Sequence, residues 1–392
     1  MNDQKKGGLH IPTLIWGVAS SLAFFLFLLR SDIAIDYMKS GLKLCAQTVI
    51  PSLFPFMVIS SLLVSSGIGL RLCRPLATPA RWLFGVSEGG ACAFILGAIC
   101  GFPIGAKVIG SMYDNGIISK KEAERVMTFC NNPGSAFVIS AVGVSLFGSL
   151  KLGIILYVCV ILSSVIVGAV GRLFYRGEKY TSCSAATIKA SLSATRSGVS
   201  LFTSAVQDSA ISMLTVCAMV VFFSSLIGCV GVSLSVLGIP DTPIALIFAV
   251  FELSSGVGAL SELSSPLSLI LCAAALGWSG LSVHFQVISV SAGRGFSFYP
   301  YFIAKGAQGV VCAILTWVAL KLIPFSEDVF SNSGISDTGA SAHYNAVFAI
   351  TVFFIAAALG VMVSIIDRSA REKNHKKRQK NLQKGVDKSN YV

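Results

Sequence analysis

The sequence predicts an all-α polytopic membrane protein: about eight transmembrane helices and two re-entrant hairpins arranged as an inverted repeat. Three observations predict it. Only 12% of the 392 residues are charged and 54% are hydrophobic, with a mean hydropathy of +0.78. A soluble domain carries about 25% charged residues, so there is too little polar surface to coat a globule of this length. Apolar runs of about 20 residues recur, the length of a helix that crosses a bilayer. Four apolar segments are broken by Gly, Pro and Ser, and they form two matching pairs. A backbone in lipid must satisfy its own hydrogen bonds, which leaves helices or a closed barrel. The short alternating segments of a barrel are absent.

The first run, 11–29, follows Lys5 and Lys6. It is long for a signal-peptide core and no small-residue cleavage site follows, so it is expected to be a retained span. Segment 30–49 mixes Arg30, Lys39 and Lys43 with Asp32 and Asp36 and is expected to be an amphipathic helix at the interface. Clear spans follow at 50–69, 152–174, 201–230, 300–323 and 346–366. Two more, 127–149 and 266–290, are interrupted by polar and helix-breaking residues. Segments 88–112 and 242–262 are broken in the middle and read as re-entrant hairpins.

Loop charge orients these elements, because Lys and Arg concentrate in cytoplasmic loops. With both termini cytoplasmic, Arg71, Arg74 and Arg81, the stretch 118–126, the loop 175–200 and Arg294 fall inside. The loop 324–345, with Glu327, Asp328 and Asp337 and no Lys or Arg, falls outside. The formal charge of +12 therefore reads as topology rather than as nucleic-acid binding, and the basic tail 367–392 as an anchor at an anionic leaflet or a partner-binding segment.

The two interrupted regions resemble each other. Gly101-Phe102-Pro103-Ile104-Gly105-Ala106 is followed by Cys130-Asn131-Asn132-Pro133-Gly134-Ser135, and Ser254-Ser255-Gly256-Val257-Gly258-Ala259 by Gly277-Trp278-Ser279-Gly280. Similar runs follow the breaks: Phe-Val-Ile-Ser-Ala-Val-Gly from Phe137, and Val-Ile-Ser-Val-Ser-Ala-Gly from Val287. Loop charge makes the two hairpins enter from opposite sides. The repeats are then 50–174 and 201–323, with span 11–29 and span 346–366 added outside them. Half-helix starts expose N–H groups that attract anions, and half-helix ends expose carbonyls that bind cations. Two facing breaks thus build a solute site near the midplane, and inverted symmetry permits alternating access.

Candidate substrate contacts are Gly101, Pro103, Gly105, Lys107, Asn131, Asn132, Ser135, Ser254, Ser255, Gly256, Ser279, His284 and Gln286. Asn131 and Asn132 either cap half-helices or bind solute. Lys107 either attracts a carboxylate or snorkels to the interface. His284 is either a structural hydrogen-bonding group or a proton relay. Glu252 and Glu262 are candidates for a coupling cation or proton, or for an ion pair with Arg294. No HExxH, GxSxG, P-loop or Rossmann pattern is present, and no catalytic role is expected. The 11 scattered cysteines and four distant histidines show no metal-ligand spacing, so no metal or cofactor is expected.

Gly-Phe-Pro-Ile-Gly-Ala-Lys at 101–107, Ile-Ser-Lys-Lys-Glu-Ala-Glu-Arg at 118–125, Phe-Cys-Asn-Asn-Pro-Gly at 129–134 and Val142-Gly143 to Phe147-Gly148 resemble the YlbJ family of sporulation integral membrane proteins. The resemblance runs over about 45–325 and is most specific in 88–148, where Phe102 stands in place of the family's usual Tyr. It implies a nucleoside-recognition "Gate" domain, a distant similarity to concentrative nucleoside transporters, and a role in moving dipicolinic acid from the mother cell across the outer forespore membrane. The partners expected are therefore the lipid bilayer, a small anionic solute, a coupling cation or proton, and further copies of the chain in a homo-oligomer, with no nucleic acid. A nucleoside carrier on the same fold and a non-transporting assembly factor are the alternatives.

Overall fold

The computed structural model describes residues 11–66, 68, 78–174, 198–263 and 266–322. Among them the regular structure is helical throughout, with no strand, as lipid demands of a chain whose backbone finds no other donor or acceptor. Four helices are long and apolar enough to cross a membrane: Leu150–Phe174, Gly198–Val236, Leu267–Val290 and Tyr299–Leu322. Two bent pairs, Gly17–Leu29 with Ser31–Val49 and Thr78–Phe84 with Glu88–Cys100, raise the number to six. The protein is an all-α polytopic membrane protein. Of the expected elements, span 346–366, the tail and the loops 175–197 and 324–345 lie outside the described residues.

Two expected boundaries move. The first is at residue 50. α1 (Ile11–Leu29) bends by 100° into α2 (Ser31–Leu44), but α2 then runs through a π-helical turn, Cys45–Val49, into α3 (Ile50–Ser65) without a stop. The amphipathic segment and the following span are one continuous helix. Asp32, Asp36, Lys39 and Lys43 form its outer stripe, while Ala34, Gly41, Cys45 and Val49 are buried. The buried stripe lies on α8 (Gly198–Val236). Ser225 Oγ donates to the Ala34 carbonyl at 3.0 Å, the Gly41 backbone lies against Val221 and Ser224, and Cys45 Sγ reaches the Cys217 carbonyl at 3.9 Å. One number falls as the other rises, so the two long helices are antiparallel.

The second boundary is the start of the interrupted span 127–149: its first half begins at Lys120, taking in most of the stretch 118–126, while the interruption falls at Asn131 as expected. α6 (Lys120–Cys130) ends at Asn131, and a separate π-helical segment, Phe137–Leu146, follows. Pro133 carries no N–H to continue the helix and biases Asn132 away from helical geometry.

The element order reads twice. A long helix, Ser31–Ser65 or α8, comes first. A broken hairpin follows: α4 (Glu88–Cys100) with α5 (Ile104–Asp114), or α9 (Asp241–Phe251) with α10 (Leu253–Ser261). A broken span is next: α6 with the π-helical segment, or α11 (Pro266–Trp278) with α12 (Gly280–Val290). A long helix closes each series, α7 (Leu150–Phe174) or α13 (Tyr299–Leu322).

The two cores exchange parts. One gathers α4, α5 and α6 with Val283 and Val287 of α12. The other gathers α9, α10 and α11 with Val138 and Val142 of the π-helical segment Phe137–Leu146. Each broken span thus leaves its first half in one core and sends its second half into the other. The start of the first hairpin is fixed locally. Ser87 caps α4, Ser119 caps α6, and Glu122, three residues after Ser119, accepts the Ser87 N–H at 2.6 Å. Arg125, fully buried, donates to the carbonyls of Phe84 and Gly85 and closes the helix before the hairpin.

Candidate functional site

The first hairpin tip rests on the first break. Gly101 has φ +85°, a left-handed conformation that glycine adopts without cost. A side chain there would press on the Gly134 backbone, and one at Gly105 or Gly97 on the Cys130 carbonyl. Glycine at 97, 101 and 105, four residues apart, is what lets the hairpin backbone lie against the broken strand of chain. Pro103 is buried and stands at the residue before α5, with no side-chain hydrogen bond to the helix.

At the break, Asn131 and Asn132 are buried, and their amides turn back onto α6. Asn131 Nδ2 donates to the Met127 carbonyl at 3.2 Å and Asn132 Nδ2 to Phe129 at 2.9 Å. Capping is what both amide nitrogens do here, satisfying carbonyls the helix end would leave orphaned. Ser135 Oγ donates to the Ile99 carbonyl at 3.3 Å and ties the far side of the break to α4.

The rest of this corner comes from α13 and was not expected from the sequence. Lys305 and Gln308 have no exposed surface. Lys305 Nζ donates to the Asn131 carbonyl at 3.0 Å and to Gln308 Oε1 at 2.9 Å. Gln308 Nε2 donates to Asn132 Oδ1 at 2.7 Å. Both sit in a run that reads as one apolar span, and their spacing of three, on one helix face, was the available signal.

The second hairpin breaks at Glu252, earlier than expected. Ser254, Ser255 and Gly256 are not a tip but the first turn of α10. Glu252 is extended (φ −137°), buried, and caps that helix: Oε1 accepts the Ser254 N–H at 3.1 Å and Oε2 the Ser255 N–H at 2.6 Å. Ser255 Oγ also meets Ser224 Oγ of α8 at 3.0 Å. Gly256 lets α10 fold tightly over Ala249 of α9. Glu262 is exposed at the far end of α10, away from the breaks.

The second broken span turns at two successive left-handed residues, Ser279 and Gly280 (φ +77°). Ser279 is left-handed (φ +79°) and buried, and its hydroxyl donates to Leu276. Trp278 Nε1 donates to the Val250 carbonyl at 3.1 Å, joining this break to its hairpin. His284 Nδ1 pairs with the Tyr301 hydroxyl at 2.9 Å, and the ring packs edge-on against Trp278 and Phe302. Its Nε2, and Gln286 Oε1, are buried without a protein partner.

Two cavities occupy this region. A small one of about 30 Å³ lies between the breaks, walled by Phe102 and Gly134 on one side and by Glu252, Ser254, Val283 and Gln286 on the other. It has room for about one water. A larger polar cavity of about 460 Å³ is lined by Lys107, Asp114, Asp208, Ser212 and Arg294 among others. Lys107 Nζ donates to the Asp208 carbonyl at 2.9 Å and to Ser212 Oγ at 3.1 Å. Arg294 does not pair with Glu252 or Glu262. It grips Asp114, with Nε to Oδ1 at 2.9 Å and Nη2 to Oδ2 at 2.6 Å. Ser297 N also donates to Glu124 Oε1 at 2.8 Å, and Phe296 packs edge-on to Tyr113. Of the expected contacts, Lys107 faces the large cavity, and Glu252, Ser254 and Gln286 the small one. Asn131, Asn132, Ser135, Ser255, Gly256, Ser279 and His284 build the walls behind and line neither. Among the described residues no group of three His, Cys, Asp or Glu side chains converges as a metal site.

Among curated proteins, the sporulation integral membrane protein YlbJ of Bacillus subtilis (strain 168) is 30% identical to this chain over 334 residues, which cover 76% of this chain and 82% of that protein. No protein-family model matches the chain. No solved structure matches it.

Proposed function

This chain belongs to the YlbJ family of sporulation integral membrane proteins, and from that premise we propose that it is a transporter of a small anionic solute during sporulation. The solute is dipicolinic acid, carried from the mother cell across the outer forespore membrane, with both termini cytoplasmic. The two repeats act as Gate-type domains that alternate access to the broken helices between them, and no catalytic step takes part.

The observation that carries this reading is the ammonium of Lys107 in the polar cavity. Its hydrogen-bond acceptors are a carbonyl and a hydroxyl, and the nearby Asp208 carboxylate acts on it through space without a hydrogen bond, so an arriving carboxylate displaces no direct ion pair. Arg294 stands in the same cavity and supplies a second cation for a planar dianion, in exchange with Asp114. The volume of about 460 Å³ is in the range of ligand pockets, about 300–1,000 Å³. The space between the breaks, about 30 Å³, does not admit such a solute, so passage requires the repeats to rearrange, as alternating access supposes. Asp114 and Asp208 in the same wall are the features that favour a hydroxyl-bearing solute such as a nucleoside instead.

The test is saturable flux of labelled dipicolinate and of uridine into liposomes holding the purified protein. Dipicolinate flux is expected, and Lys107→Ala is expected to weaken it about 10- to 100-fold, the loss of one charge-assisted contact of about 1.5–3 kcal/mol. Uridine flux alone would assign a nucleoside carrier. No flux of either would leave the assembly-factor reading, which removal of residues 371–392 then probes.

A further inference from the structure

Lys305 sits inside a helix, fully buried, with no carboxylate within ion-pair distance among the described residues. A charge placed this deep in a membrane protein is costly and marks a functional site. What receives it is two neutral oxygens: the main-chain carbonyl of Asn131 at the end of α6, and the side-chain carbonyl of Gln308, three residues on along α13. The Oδ1 of Asn131 is buried at the same residue without a hydrogen-bond partner. Gln308 is turned so that its amide nitrogen goes to Asn132 and its oxygen to the ammonium. Unwound carbonyls at a half-helix C-terminus are the donor set with which broken-helix transporters hold an alkali cation, and the helix dipole adds its negative end there.

We propose that Lys305 is a tethered cation: its ammonium occupies a monovalent-cation site built by the Asn131 break and Gln308. The first break therefore requires no free sodium or potassium ion, and removing the ammonium uncovers a site that a free monovalent cation fills. The flux consequence, dipicolinate transport that is indifferent to sodium, rests on the transport reading above. The binding consequence does not.

The test compares thermal unfolding of the purified full-length wild type and Lys305→Ala in detergent, at matched ionic strength in choline, sodium, potassium or ammonium chloride. Lys305→Ala is expected to melt lower than wild type in choline chloride and to gain about 2 °C or more in at least one of the other three salts, beyond any gain of the wild type. Equal responses of variant and wild type would overturn the proposal. If Lys305→Ala does not fold, Lys305→Gln, whose side chain is shorter and uncharged, is read in the same salts with the same expectation. A second check leaves Lys305 in place. Saturable binding of radiolabelled sodium or rubidium that Asn131→Ala abolishes would overturn the proposal, and its absence is expected. Failure of dipicolinate flux in every salt would count against the transport reading, while the salt response of the variant reports on Lys305 alone.

Discussion

The two hairpin-and-break regions use the same backbone device and solve its electrostatics with opposite charges. In the first repeat the critical end is the C-terminus of α6, and the ammonium of Lys305 lies on the Asn131 carbonyl there. In the second it is the N-terminus of α10, and the carboxylate of Glu252 lies on its N–H groups. Each charge answers the sign of the half-helix dipole it meets. A half-helix end inside a membrane has no water to satisfy it, and the two repeats recruit that partner differently. Glu252 is local, the residue before its helix. Lys305 is distant in sequence and comes from the other repeat. The first break therefore depends on the two repeats staying in contact, and the second does not.

The largest effect that sharpens this comparison is expected at the glycines of the first hairpin. At Gly97 an added side chain meets the Cys130 backbone, which cannot move without pulling the Lys305 corner apart. Gly97→Val is expected to cost about 3 kcal/mol or more, the upper range for overpacking a closed interface. The measurement is monodisperse yield and thermal midpoint in detergent. The same change at Gly258, where nothing lies within 4 Å, is the control and is expected to be tolerated. Equal losses at both would mean that glycine matters for helix packing in general and not for this contact.

A smaller effect is expected at the break of the second hairpin. Glu252→Ala removes an acceptor for two buried N–H groups and is expected to destabilise by about 1–3 kcal/mol. Glu252→Gln keeps one acceptor oxygen and should lose less. Because the cap is local, neither change should alter how the protein responds to salt at Lys305. A shift in that response would show that the two breaks are coupled more tightly than their separate partners imply.

Much of this was legible in the sequence, and the limits have physical causes. Runs of apolar residues located the long helices, and Gly101, Pro133 and Gly134 located the first hairpin tip and break, because those residues restrict or free the backbone wherever they stand. The second hairpin was placed at Ser254–Gly258 because Ser and Gly read as breakers. The actual break is at Glu252, since an acid that caps a helix ends the preceding one without any breaker residue. The continuity of α2 with α3 was hidden by the polar stripe of Asp32, Asp36, Lys39 and Lys43, which suggested a surface helix although its opposite stripe is packed on α8. Lys305 and Gln308 were hidden because hydropathy averages over a span, and two polar residues among apolar ones barely lower it. Arg294 was read as a loop charge that orients the chain. Its pairing with Asp114, 180 residues away, is a tertiary fact that sequence spacing does not carry.

That pair gives the smallest expected effect and bears on what holds the two halves together. Asp114 ends α5 of the first repeat, and Arg294 lies just past α12 of the second. Both are partly exposed, at 50% and 23% of their side-chain area, so the geometry is bidentate but solvent screens it. Such a pair is worth about 1 kcal/mol or less. It nevertheless closes the side of the polar cavity where the repeats also meet through Glu124 with Ser297 and Tyr113 with Phe296. Asp114→Asn is expected to leave the thermal midpoint within about 2 °C of wild type. In an Ser212→Cys background, a residue on the cavity wall, it is expected to raise the rate of modification by a charged thiol reagent by about 2- to 5-fold, the population shift that up to about 1 kcal/mol permits. High salt should raise the rate in the Asp114 protein and not in the variant, because it screens an interaction only the former has. If the rates with and without Asp114 coincide at low salt, the ion pair does not hold the repeats together on this side, and the contacts of Tyr113 with Phe296 and of Glu124 with Ser297 are left as the ones that do.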